Sequence, residues 1–306
     1  MPIPDASAEP APAQQPGAAP GAQPGTGSRT AVVTDSTAHL IEEETSAWGI
    51  TVVPLDVIIA GKAGRDGTDV SPHQVASALA AWEPVSTSRP SPARFLAAYE
   101  DARHHGVTSV VSIHLSGELS GTVDAARIAA REASLPVTVV DTRQVGLGFG
   151  FAVLAAAQQA RSGGGASQVA EAARRVAAGS SVVFYVDNVE YLRRGGRIGA
   201  ASAFFGGVLA VKPLLDVVDG RIEPLEKVRT TTRALARLEQ LAVERAGTRP
   251  VSLGVHHLAA PARAEQVLGA LVARLPNASP VLLRELDAVI GAHVGPGVVA
   301  VVIAPR

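Results

Sequence analysis

Short runs of β-branched residues, apolar on both faces and separated by stretches with helical spacing, constrain this chain more than any other feature. The runs cover residues 31–33, 51–59, 109–114, 136–140, 182–186 and 251–255, and their side chains suit the pleated surface of a strand. A strand that is apolar on both sides needs cover on both sides, which helices on the two faces of a mostly parallel sheet supply. The pattern is clearest before Gly164. Helical spacing appears at 92–105, 121–132, 151–162, 167–178 and 232–246, then at 261–275 with Pro261 in the tolerant first position, and a strand at 298–303 closes the chain. Alternating strand and helix predicts an α/β fold.

The length of 306 residues predicts two domains. Glycine is concentrated at 162–166 between two helical stretches, which marks a hinge. We therefore expect an N-terminal α/β domain over 29–164, with a mostly parallel sheet, and a C-terminal α/β domain over 165–306. Residues 1–28 are dominated by Pro, Ala, Gly and Gln, so ordering them costs backbone entropy with little burial in return, and a disordered tail is expected. Asp5 and Glu9 stand where a secretory leader carries basic residues. No internal repeat is evident.

Composition narrows the function. Apolar residues make up 47% of the chain and aromatics only 4%, so a core or pocket must be walled mainly by Val, Leu, Ile and Ala, which suits an aliphatic ligand. With 27 basic and 28 acidic side chains the net charge is −1, which gives no general field for a nucleic acid or an acidic membrane. The chain has no cysteine, which removes disulfides and thiolate chemistry and fits a reducing cytoplasm. No apolar run reaches the ~20 residues of a membrane span.

Three hydroxyl-rich segments lie at strand ends, where open α/β sheets bind ligands. Thr34-Asp35-Ser36-Thr37 follows the first strand, and helix capping by Asp35 or Ser36 explains it at least as well as ligand contact. Ser86-Thr87-Ser88-Arg89-Pro90-Ser91 sets three hydroxyls and a cation before a helix start, an arrangement that favours a carboxylate or phosphate and equally a cap. Leu115-Ser116-Gly117-Glu118-Leu119-Ser120-Gly121-Thr122 repeats the theme, and its order does not match the G-x-S-x-G elbow of a nucleophilic serine. Arg193-Arg194-Gly195-Gly196-Arg197 suits phosphate or carboxylate, or simply a solvated turn. Neither it nor Gly206-Gly207 forms a Walker loop, and Gly146-x-Gly148-x-Gly150 is a poor dinucleotide fingerprint. His293 sits in a glycine-dense turn, near a ligand or as a structural histidine. Adjacent His256 and His257 make a poor chelate, so no metal and no cofactor are assigned.

Taken in order, VTDSTAHL from Val33, VVPLDV from Val52, DGTDVSP from Asp66, TSRPS from Thr87, LSGELSGT from Leu115, YLRRGGRIG from Tyr191, VKPLLDVVDG from Val211, KVR from Lys227 and GAHVGPG from Gly291 resemble the DegV family of fatty-acid-binding proteins. The resemblance implies two α/β domains with a ligand cleft between them. A long-chain fatty acid would lie there, its chain in an apolar tunnel and its carboxylate at Thr87 and Ser120, with Ser88 and His293 beside them. It also implies a separate fatty acid kinase that converts the presented carboxylate to acyl phosphate, with Arg197, and Arg194 beside it, available to that partner or its phosphate. A non-catalytic, lipid-carrying role follows. Burying about 15 methylenes at ~0.8 kcal/mol each yields on the order of 10 kcal/mol before ordering costs, so an aliphatic tunnel provides affinity without catalytic groups. The chain departs from the family pattern at Arg89 for Gln, Gly117 for Ser and Val294 for Thr. The rival readings are a serine hydrolase or phosphotransferase using Ser120, His293 and a carboxylate such as Asp35, and a lipid sensor with no kinase partner.

Overall fold

In the computed structural model the chain runs through β1 (Thr30–Asp35), a 3-10 turn (Ser36–Ala38), α1 (Glu42–Trp48), β2 (Ile50–Val53), β3 (Asp56–Ile59), β4 (Lys62–Arg65), α2 (Pro72–Ala80) and β5 (Val85–Ser88). It continues through α3 (Pro92–His104), β6 (Ser109–His114), α4 (Thr122–Glu132), β7 (Val137–Asp141), α5 (Leu147–Arg161), α6 (Ala166–Gly179), β8 (Ser181–Tyr185) and α7 (Glu190–Arg194). The last part comprises β9 (Lys212–Val218), β10 (Arg221–Val228), α8 (Thr231–Ala246), β11 (Val251–His257), α9 (Pro261–Arg274), β12 (Ala278–Glu285), α10 (Ala288–Val294) and β13 (Val299–Pro305). The structure describes residues 29–199 and 212–306; the expected tail over 1–28, Gly206-Gly207 and the first residue of VKPLLDVVDG lie outside them.

The fold is α/β. A four-stranded sheet in the order β2-β1-β6-β7 is parallel throughout, and every residue of β6 is buried, as two-sided helical cover requires. A six-stranded sheet in the order β10-β9-β8-β13-β11-β12 is antiparallel except for the β11–β12 pair. A third, antiparallel sheet of three strands runs β4-β3-β5. Among the described residues, no helix is long and apolar enough to cross a membrane.

Two expectations are corrected. The run 51–59 is not one strand: Pro54 has no N–H for a ladder and separates β2, which joins the parallel sheet, from β3, which joins the three-stranded one. The helix expected at 151–162 begins four residues earlier, at Leu147. Gly148 and Gly150 argue against helix on propensity, yet they are where neighbours press closest. A Cβ at Gly150 would collide with the Ala38 carbonyl, and one at Gly148 would come within 2.7 Å of Val182 Cγ2. The glycine triplet is therefore a packing device, and α5 is wedged between the turn after β1 on one side and β8 on the other. One apolar core accordingly runs from Val111 and Ile113 of β6 through α5 to Val182, Phe184 and Val302 of the larger sheet.

Candidate functional site

Strand alternation selects the first site residue. In β5, Val85 and Thr87 are half-buried while Ser86 and Ser88 are exposed, so of the three hydroxyls before Arg89 only Thr87 faces inward. Its Oγ1 lies 2.8 Å from His293 Nε2. His293 occupies the last turn of α10, a helix whose N-cap Asp287 accepts a hydrogen bond from Ile290 N at 2.6 Å. The imidazole rests on the backbone of Gly195, where a Cβ would collide with Nδ1. Gly295, at φ +75°, continues the close approach under the ring of Tyr191.

Ser120 comes from the turn between β6 and α4. Its Oγ lies 2.9 Å from Thr122 Oγ1, with Thr122 N at 3.4 Å. Arg197 ties this turn to the one after α7: Nε donates to Leu119 O at 3.1 Å and Nη1 to Gly195 O at 2.5 Å. Thr87, Ser120, Arg197 and His293 thus line one cavity of about 270 Å³. Its remaining wall is mostly aliphatic, with Leu115 and Val145 from loops after the parallel strands, Val182, Phe184 and Ala300 from the large sheet, and Val289 from α10. Among the described residues, no carboxylate lines it. A second recess, of about 370 Å³, shares Thr87, Arg197 and His293 and is completed by Trp82, Tyr191 and Arg194, so the Thr87–His293 pair stands in a wall common to both.

Electrostatics favour a neutral imidazole. Burial, reinforced by the positive charge of Arg197, pushes the His293 pKa down to about 4, and Nδ1 is buried with no hydrogen-bond partner among the described residues. The uncharged ring can donate or accept at Nε2, whichever Thr87 and a ligand leave open. Burial also lowers the Arg197 pKa, but a guanidinium stays protonated at neutral pH, so the polar end of the cavity is cationic.

Other expected residues fall elsewhere. Ser88 does not line the cavity; its hydroxyl donates to Arg89 O at 3.2 Å. Arg194 reaches only the second recess, where its guanidinium lies 4.7 Å from the Trp82 ring centroid and its Nε donates to Glu190 at 3.1 Å. Asp35 is a capping residue. Fully buried, it accepts from Thr37 N at 3.1 Å, Thr37 Oγ1 at 2.5 Å and Leu115 N at 3.3 Å, with His114 Nδ1 at 2.9 Å. Gly117 lies outside the cavity beside Asp141, whereas Arg89 and Val294 line it. Sequence reasoning treated His256 only as half of a poor chelate, yet it lines the apolar part, its Nε2 accepting from Leu147 N at 3.1 Å. The only available signal is a histidine that follows the run 251–255, and that does not indicate which face it occupies. For a serine nucleophile the pairing is wrong: the imidazole bonds Thr87, while Ser120 bonds Thr122.

Comparison with known proteins agrees with this architecture. The family model described as "Uncharacterised protein, DegV family" matches residues 29–306. A DegV domain-containing protein of Streptomyces coelicolor is 52% identical over 276 residues, covering 90% of this chain and 98% of the relative. Among solved structures, a DegV family protein from Thermus thermophilus described for its fatty acid binding superposes with a TM-score of 0.86 at 32% identity, covering 91% of this chain and 100% of that one. DegV of Bacillus subtilis, described as a fatty acid binding protein, gives 0.83 at 29% identity, covering 91% and 99%. By sequence over nearly its whole described length and by fold, the chain belongs to the DegV family.

Proposed function

We propose that the cavity holds a long-chain fatty acid, its carboxylate at Thr87, Ser120 and His293 and its chain against the aliphatic wall. The observation that carries this reading is the distribution of polarity in one cavity. Hydroxyls, a neutral imidazole and a guanidinium meet at one place, while most of the wall is Val, Leu, Ile and Ala and no carboxylate among the described lining residues competes for the donors. Fatty acid binding by the Thermus thermophilus and Bacillus subtilis relatives supports it.

The protein then presents the head group to a separate fatty acid kinase and performs no catalysis itself. A carboxylate oxygen attacks the terminal phosphorus of ATP held by that partner, the bond to the bridging oxygen breaks, and acyl phosphate and ADP result. Arg197, and Arg194 on the adjoining recess, face the partner or the transferred phosphate. We take residues 29–164 and 165–306 as the two domains flanking the ligand, and the cytoplasm as the setting.

Mass spectrometry of lipid extracted from natively purified protein, with a denatured control, tests the reading. A stoichiometric fatty acid supports it; a protein that is empty, and stays empty after incubation with varied fatty acids, overturns it. Acyl phosphate formation on adding a kinase and ATP separates the carrier from a sensor, and turnover by the protein alone would establish an enzyme instead.

A further inference from the structure

Arg89 stands apart from the other arginines near the site. It lines the cavity together with Ser120 and Gly121, two residues beyond Thr87. Its side chain packs against Gly121, where a Cβ would collide with Nη1 and sit 3.1 Å from Cδ. Pro90, buried, fixes the backbone on its far side. Other guanidinia nearby are engaged: Arg94 Nη1 donates to both Asp56 oxygens at 3.0 Å, Arg197 donates to two backbone carbonyls, and Arg194 pairs with Glu190. Arg89 is exposed at the cavity mouth and forms no ion pair with a carboxylate among the described residues. It is a cation packed on a glycine, facing a cavity with no acid among its described lining residues.

Hydroxyls and a neutral imidazole distinguish a charged head group from a neutral one of the same shape only through the strength of each hydrogen bond. A guanidinium adds an ion pair with a carboxylate, whereas with an amide or alcohol it has only a charge–dipole hydrogen bond. We propose that Arg89, with Arg197 Nε and Nη1 already committed to backbone carbonyls, is the guanidinium that bonds the head group directly and so favours an ionised carboxylate over uncharged lipids with the same chain. The inference rests on the fatty-acid reading of the cavity and adds to it what the hydroxyl cluster cannot supply. Gly121 leaves the room that the guanidinium occupies, and a Cβ there would make it shift.

The test uses delipidated full-length protein and two probes with one chain, hexadecanoate and hexadecanamide. Arg89→Gln is expected to weaken hexadecanoate about fivefold, the scale of a partly exposed ion pair, and to leave hexadecanamide unchanged. The wild-type preference for the acid should narrow as salt rises, and that of Arg89→Gln, which keeps only the Arg197 charge, should narrow less. Gly121→Ala, which displaces the guanidinium without removing it, should reproduce the loss; should that variant misfold, the salt series on wild type and Arg89→Gln decides alone. An unchanged acid-to-amide ratio and salt slope in Arg89→Gln overturns the role of Arg89 and leaves the fatty-acid reading intact. A wild-type protein that binds neither probe overturns both.

Discussion

The short helix α10 carries a buried polar cluster at each end, and the two are built to opposite purposes. At its start, Asp66 Oδ1 accepts from Ala288 N at 3.0 Å, Asp287 caps the first turn, and His39 Nε2 stands 2.6 Å from Asp287 Oδ2, off the line of a hydrogen bond. These groups join the three-stranded sheet to the rest of the molecule and line neither of the two recesses at the other end. At its end, His293 and Thr87 also bond each other, but beside an open cavity. Buried polarity alone therefore does not mark a ligand site. The adjoining space does.

That contrast can be broken at several points. The largest effect should come from Thr87→Val combined with Ser120→Ala, which removes two donors from a partly dry carboxylate. Fatty-acid affinity should fall roughly 100-fold, about 3 kcal/mol, with the melting temperature little changed. Isothermal titration checks the first expectation and calorimetry the second, and unchanged affinity would remove both residues from the head-group site. Next, Asp287→Ala should lower stability by about 2 kcal/mol by taking away the α10 cap. Chemical denaturation reads this directly, and a loss confined to ligand binding would contradict a structural role.

The two ends should also respond to pH in opposite directions. Burial, together with the nearby Asp287 charge, lifts the Asp66 pKa to about 7. Between the ordinary value of 3.8 and about 7 the folded chain keeps a proton that the unfolded chain releases. This contribution to stability is complete below that window and is lost as pH rises through it. Asp66→Asn should flatten the slope, worth about 1 kcal/mol once relaxation of the buried site is allowed for. His293 behaves conversely. Between 6.5 and about 4 the unfolded chain takes up a proton that the folded chain refuses, so stability drains away as pH falls through that range. His293→Gln should remove this smaller effect, under about 1 kcal/mol given its edge position at the cavity. Denaturation midpoints from pH 4 to 8 measure both slopes, and parallel slopes would defeat the comparison.

Legibility followed the range of the interactions involved. Pro261 starts α9 and Pro92 starts α3 as expected, and 109–114 is a strand from end to end, because caps and apolar runs act within a few residues. The strands β9, β10 and β12 and the three-stranded sheet were not anticipated. In β4, β5, β10 and β12 the residues are more polar or only half-buried, so hydrophobic patterning is weak there, and in the largely buried β9 it is interrupted by Pro213 and Asp216; pairing is settled by partners distant in the chain.

The site divides in the same way. Which segments carry hydroxyls, glycines and guanidinia can be read along the chain, and so can the aliphatic character of any pocket it forms. Which of those groups meet cannot. Thr87 and His293 are 206 positions apart, Arg197 reaches back to Leu119, and Ser88 is turned away only because β5 pairs with β3 in the register that points Thr87 inward. Alternation, capping and composition are local properties and belong to the sequence. The facing of side chains across a cavity depends on long-range packing, and only the folded chain decides it.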